Sequence, residues 1–259
     1  MKKQILLLLP LAALIAAPSH AGNPDDSEGT FTVTPAYVSE FMFRGARYGG
    51  ASFQPMIEYS KGPLDLELWC NFPLADKIEG VSDPEFDLTA SYTLTIVPNA
   101  FTIKPGFTLY TFPRAKKEDG FYKATFEPKV SFSYTAGDIS FALNLYYDLV
   151  MEGPTYEFGV DYSIPVKASN FNFELELSAL IGKYDWADSV ADSGTKEGIK
   201  GDYWQAGLAV PFEFSKSSKL VIGWYYAEGI NTKSYAGAAR DSLPDVGHGV
   251  FNVSFSHSF

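Results

Sequence analysis

Cysteine is almost missing from this chain: Cys70 is the only one in 259 residues. A single thiol excludes an intramolecular disulfide framework. Histidine is scarce too, with His20, His248 and His257 the only three, which leaves little material for a histidine metal site or an imidazole base. Basic residues are few. Lys and Arg number 20 against 31 Asp and Glu, for a formal net charge of −11, and that balance argues against nucleic acid, whose phosphates need clustered cations. Past the first seventeen residues no apolar run approaches the roughly 20 residues that a spanning helix needs. What the chain has in quantity is aromatic side chains, 16% of the total, at an ordinary mean hydropathy of −0.05. Many aromatics without any long greasy segment is the composition of alternating strands, in which each strand's average hides one fully apolar face.

Alternation recurs along the whole sequence. From Glu85 to Ile96, Phe86, Leu88, Ala90, Tyr92, Leu94 and Ile96 fall on one face. Glu85, Asp87, Thr89, Ser91, Thr93 and Thr95 fall on the other. The same period runs through Leu64 to Phe72, Tyr122 to Tyr134, Ile139 to Leu149, Thr155 to Ile164 and Phe171 to Ile181, and closes with Phe251 to Phe259. Thr30 to Phe43, Ser52 to Tyr59, Phe101 to Phe112, Tyr203 to Phe212 and Lys219 to Tyr226 show it less cleanly, and Ser39 falls on the apolar side of its strand. Twelve strands result, most of a length that crosses a bilayer at a tilt. The connections between them alternate short and long, as the periplasmic turns and external loops of such barrels do. The expected fold is therefore all-β: a transmembrane, antiparallel, up-and-down β-barrel of twelve strands. Pro35, Pro55, Pro105 and Pro128 sit inside proposed strands, where a closed barrel has no edge to hide a missing N–H, so bulges or locally broken ladders are expected.

The two ends carry addresses. Met1-Lys2-Lys3, the apolar stretch from Ile5 to Ala17 and the small residues of Ser19-His20-Ala21 read as a secretory signal peptide over residues 1–21, cleaved before Gly22. Residues 22–259 then form one outer-membrane barrel domain of a Gram-negative cell. Phe259, at the end of an alternating strand, resembles the signal read by the barrel-assembly machinery, and the closing strand is expected to pair with Thr30 to Phe43.

Function has to come from the inward face. It carries Glu40, Glu58, Asp65, Glu67, Glu85, Asp87, Glu127, Asp148, Glu157, Asp161, Glu174 and Glu176, with Lys104, Lys123 and Lys129 as its bases. Ionised groups avoid lipid, so these look into water or at one another. The lysines on adjacent strands and the pair Glu174 and Glu176 well around the wall suggest a transverse field. The expected pore lining is Glu58, Asp65, Glu67, Asp87, Lys104, Glu127, Lys129, Asp148, Glu157, Asp161, Glu174 and Glu176. Trp69, Tyr110, Phe112, Tyr146, Tyr203 and Tyr225 also point inward. The reading is a passive, narrow channel for small polar or cationic solutes, with no cofactor, metal or catalytic residue. The alternatives are a non-conducting scaffold or assembly protein whose polar interior merely fills the barrel, and a lipid-modifying enzyme built on His248 near Asp241, Ser242 and Asp245. Asp185, Asp188, Asp192 and Glu197 do not have the spacing of a calcium loop and read as a solvated acidic loop. Arg44, Arg47 and Arg114 fall in outer loops, where they can meet lipopolysaccharide phosphates.

The run Tyr37-Val38-Ser39-Glu40-Phe41-Met42-Phe43-Arg44-Gly45, followed by Ser52-Phe53-Gln54-Pro55, resembles a proteobacterial group of uncharacterised outer-membrane proteins. Their first hairpin carries V-S-x-Y-x-F-R-G, and a Gln opens the second strand. Here Phe41 stands for the usual Tyr and Pro55 follows Gln54. The resemblance implies location and fold, and it brings no functional residues with it.

Overall fold

The computed structural model describes residues 28–77, 84–116, 122–167, 172–187, 199–230 and 247–259. The leader and its cleavage point lie outside them, as do Asp188, Asp192, Glu197, Asp241, Ser242 and Asp245. Every regular element among the described residues is a strand: β1 (Thr30–Thr34), β2 (Ala36–Val38), β3 (Phe41–Phe43), β4 (Ala46–Gly49), β5 (Ser52–Phe53), β6 (Met56–Lys61), β7 (Leu64–Pro73), β8 (Glu85–Tyr92), β9 (Leu94–Val97), β10 (Phe101–Thr111), β11 (Ala124–Ala136), β12 (Ile139–Asp148), β13 (Gly153–Lys167), β14 (Asn172–Trp186), β15 (Ile199–Ser215), β16 (Ser218–Ile230) and β17 (His248–Ser258).

Three pairs of these, β1 with β2, β5 with β6 and β8 with β9, are interrupted single strands, so the wall has twelve members, each antiparallel to its neighbours. It closes where β17 meets both halves of the first strand. Thr32 stands opposite Ser258 and Val33 opposite His257, and Val38 stands opposite Asn252 in the same register. Closure removes the edges that would otherwise seek a partner.

Alternation sets which way each side chain points. On β8 the pattern is strict: Glu85, Asp87, Thr89 and Ser91 are buried inside, while Leu88 and Tyr92 are exposed outside. On β17 the small polar Asn252, Ser254 and Ser256 are buried and Phe251 and Phe255 are exposed. Around the wall, Phe31, Ile57, Leu66, Leu143, Phe158 and Ile181 add to an outward apolar belt, Ile181 being 61% exposed. Soluble monomers rarely leave so many large apolar side chains bare, and hydrocarbon is the solvent this belt fits.

The prolines are accommodated by gaps rather than by shifts. Pro35 and Pro55 stand opposite each other, since Val33 faces Ile57 on one side of them and Tyr37 faces Phe53 on the other. The Pro35 carbonyl accepts from Phe255 N–H at 3.1 Å and the Pro55 carbonyl from Cys70 N–H at 3.0 Å. In an antiparallel ladder a residue's N–H and C=O point to the same neighbour. Each proline therefore lacks one bond to its outer neighbour, and nothing is lost between the two. Pro105 holds register against Val130, and β11 meets β12 on both sides of Pro128, in the ladder from Lys129 onward and through the Phe126 carbonyl, which accepts from Leu149 N–H at 3.0 Å.

Two boundaries differ from the sequence reading in ways that matter. β13, β14 and β15 run to 15, 15 and 17 residues, well beyond the ~9–11 that a bilayer needs, so part of the expected loop at 182–200 is wall. At the other end of the chain, the first wall strand stops at Val38, not Phe43. Residues 41–49 leave the wall and pair only with each other, Phe43 opposite Ala46. Phe41 and Met42 are both buried, at 3% and 2% exposure, which a strand with one face in lipid does not allow. The three consecutive apolar residues Phe41-Met42-Phe43 break the alternation, and a turn at Arg44-Gly45 reverses the chain. The hairpin has folded into the barrel.

Candidate functional site

The hairpin β3–β4 is seated between two patches of wall. Phe41 and Tyr48 pack with Met56 and Trp69, and Met42 packs with Val38, Tyr225, Ala227 and Val250. Its two turn residues both have positive φ, 48° at Arg44 and 76° at Gly45, as a tight two-residue hairpin of the primed kind requires. Gly45 is needed for space as well. A Cβ there would lie 2.5 Å from Tyr203 Cβ and 2.8 Å from the Gly229 Cα. Arginine is a poor choice for a left-handed conformation, and such strain persists only where surroundings hold it.

They do. The Arg44 guanidinium donates from Nη1 and Nη2 to the two oxygens of Glu127, both at 2.8 Å, in the bidentate geometry that suits a planar fork. It lies 4.8 Å from the ring centroid of Phe43, 5.0 Å from that of Tyr146 and 5.8 Å from that of Trp186. Both partners are cut off from solvent, Arg44 at 7% and Glu127 at 0% exposure.

The wall around this pair alternates tyrosine and carboxylate from strand to strand. Tyr110 on β10 donates to Glu127 on β11 at 3.0 Å. Tyr146 on β12 and Tyr203 on β15 donate to the two oxygens of Glu157 on β13, at 2.8 and 2.6 Å. Tyr203 reaches across β14 because the residue between them in the ladder is Gly182, where any Cβ would meet the tyrosine ring. The belt runs across the consecutive strands β10 to β15. Its lumenal parity was legible in the sequence. That these five side chains form two hydrogen-bonded groups bridged by Arg44 was not, and neither was the insertion of Arg44 from a loop.

Below the belt, toward the short turns, lies a second polar zone. Lys104 pairs with Asp65 at 2.8 Å, and Asp65 also accepts from Ser60. Glu58 and Glu67 face each other across β6 and β7. Lys129 lies within electrostatic reach of Glu67, and Lys219 within reach of Glu176, Glu174 and Glu58. Lys219 was missed by sequence reasoning, although it shares the parity of inward Val221 and Tyr225. It stands near the acids of β14, so positive and negative charges are mixed around the wall. Lys123, expected inside, is exposed just ahead of β11. Asp161 and Glu176 line a cleft with Ser163, Ser178, Tyr225 and Asn252, and Glu174 precedes Glu176 by one inward position on β14.

Other expected lining residues have structural duties. Asp148 accepts from Thr125 at 2.6 Å and from the backbone N–H groups of Val150 and Met151, both at 2.8 Å, and so shapes the connection to β13. Asp87 sits in the ladder between Trp69 and Tyr110, with one oxygen buried and without a hydrogen-bond partner among the described residues.

The arginines correct the lipopolysaccharide expectation in part. Arg44 points into the barrel and cannot reach a headgroup. Arg47 is engaged by Glu40 at 3.2 Å and Asp76 at 3.1 Å, while Arg114 is exposed. Glu40 also receives His248 Nδ1 at 2.7 Å. That is the orienting half of a hydrolase dyad; His248 Nε2 has no hydrogen-bond partner among the described residues, and Ser242 lies outside them.

The family described as "Putative MetA-pathway of phenol degradation" matches residues 21–243. The chain belongs to this family. No curated protein matches the sequence. Among solved structures the fold is similar to the NanC porin, at a TM-score of 0.53 and 10% identity over 88% of this chain and 98% of that one. It is similar to the KdgM porin at 0.53 and 12% identity, over 88% and 99%, and KdgM has also been solved in complex with disordered oligogalacturonate. An outer membrane channel from Pseudomonas putida F1 matches at 0.50 and 9% identity, over 92% and 100%. Identities this low speak for the fold alone. Closed barrel, apolar belt and likeness to outer-membrane porins point to the Gram-negative outer membrane.

Proposed function

We propose that this member of the family is a passive, narrow outer-membrane channel for small polar or cationic solutes, constricted by its own first hairpin. The observation that carries the reading is the inward carboxylate excess. Glu58, Asp65, Glu67, Asp87, Asp161, Glu174 and Glu176 outnumber Lys104, Lys129 and Lys219 in the polar zone and its approaches, and Arg44 is neutralised by Glu127. A low-dielectric wall focuses that excess onto whatever passes. A polyanion such as the oligogalacturonate solved with KdgM would meet net repulsion here. Phenol, named in the family's description, is uncharged at neutral pH, so the carboxylates do nothing for it and the reading rests on charge.

Flux into proteoliposomes tests the preference. Ethanolamine is expected to enter faster than glycolate of similar size, and equal rates or the reverse order would remove the cationic preference. A second reading, a non-conducting scaffold, is favoured by one observation, the hairpin and aromatics that fill the outer half of the barrel. It predicts no flux of any solute even after the hairpin is removed, together with specific co-purification of an envelope protein.

A further inference from the structure

We propose that the tyrosine–carboxylate belt is a binding site for guanidinium compounds, and that Arg44 is its built-in occupant. The wall supplies what a planar cation needs independently of the hairpin. Glu127 offers two in-plane acceptors, locked by the Tyr110 hydroxyl. Tyr146 offers a ring face held by its bond to Glu157, and Trp186 a second ring. With the hairpin seated, Glu127, Glu157, Tyr146, Tyr203 and Trp186 are all at most 4% exposed. Guanidinium is the matching class because it alone combines a carboxylate-matched fork with a flat, weakly hydrated face, whereas an ammonium is a compact and strongly hydrated point charge.

The internal occupant is held imperfectly. Arg44 carries a φ of 48°, and its Nε is buried without an acceptor among the described residues. Tethering gives Arg44 an effective concentration in the millimolar range or above. Backbone strain lowers that advantage by roughly ten-fold. A free guanidinium compound at comparable concentration therefore competes with it. Displacement frees the hairpin tip from Glu127, and the opening that follows rests on the channel reading; occupancy of the belt does not.

The test uses the whole refolded chain with methylguanidinium, and methylammonium at equal ionic strength as the control. Arg44→Gly empties the belt and suits the left-handed backbone. In this variant millimolar methylguanidinium is expected to raise Tm and change tryptophan emission through Trp186, and methylammonium is expected to do much less. The wild-type protein should need at least ~10-fold more ligand, because Arg44 competes. Glu127→Gln added to Arg44→Gly should abolish the response. Equal responses to the two cations, or a response that survives Glu127→Gln, would overturn the proposal. If Arg44→Gly fails to refold, Arg44→Gln is used, and rescue of refolding by methylguanidinium but not methylammonium supports the site; absence of rescue contradicts it. Binding without any conductance would uphold the site and sink the channel; conductance without binding would do the reverse.

Discussion

At the residue scale, the Arg44–Glu127 pair decides the account. Two charges removed from water are stabilising only together, and leaving one without the other costs about 3–5 kcal/mol. Glu127→Gln is therefore expected to lower unfolding stability by about that much, and Arg44→Gln added to it to recover part of the loss. Urea titration of the refolded variants reads the coupling, and additive losses would mean the pair is not the unit described here. Gly182→Ala makes a separate prediction. The added methyl collides with the Tyr203 ring, so Tyr203 loses Glu157, at a cost of about 1–3 kcal/mol. At this scale the sequence revealed directions but not partners. Glu127, Glu157, Tyr110, Tyr146 and Tyr203 were each legible as inward from alternation alone. Arg44 was not, because nothing local to a loop says that it will find a carboxylate on β11, 83 residues away.

At the element scale, alternation translated directly into wall because a strand between lipid and water has one free choice, which face goes where. Each residue on the apolar face should then resist charge. Leu143, near the middle of β12 and 41% exposed, is expected to cost about 2–4 kcal/mol on substitution by Lys, while Asn144→Ser beside it on the inner face should be near neutral. Equal effects at the two positions would contradict the assigned orientation. The first hairpin was illegible for the complementary reason. Phe41-Met42-Phe43 reads as the end of a strand if one assumes that strands continue until a turn. Physically, two adjacent buried side chains need a surrounding on all sides, and only the lumen provides it. Replacing residues 41–49 by an Asn-Gly turn should leave the wall intact, since β3 and β4 pair only with each other, and raise single-channel conductance severalfold. Unchanged conductance would mean that the hairpin does not bound the path.

At the scale of the whole molecule, composition already excluded a helical membrane protein, a disulfide scaffold and a nucleic-acid binder, and the closed twelve-membered wall followed from counting strands. Charge distribution was the harder matter. Parity identified the carboxylates, but Lys219 was overlooked, and it brings a further cation to the acids of β14. The proposed channel has a net acidic interior narrowed by an inserted, ion-paired hairpin. Planar-bilayer recording of the refolded chain across a KCl gradient tests that claim most directly. The account predicts small discrete steps with a reversal potential displaced toward that of potassium. No step above leak, in the wild-type protein and in the hairpin-replaced variant alike, would contradict it.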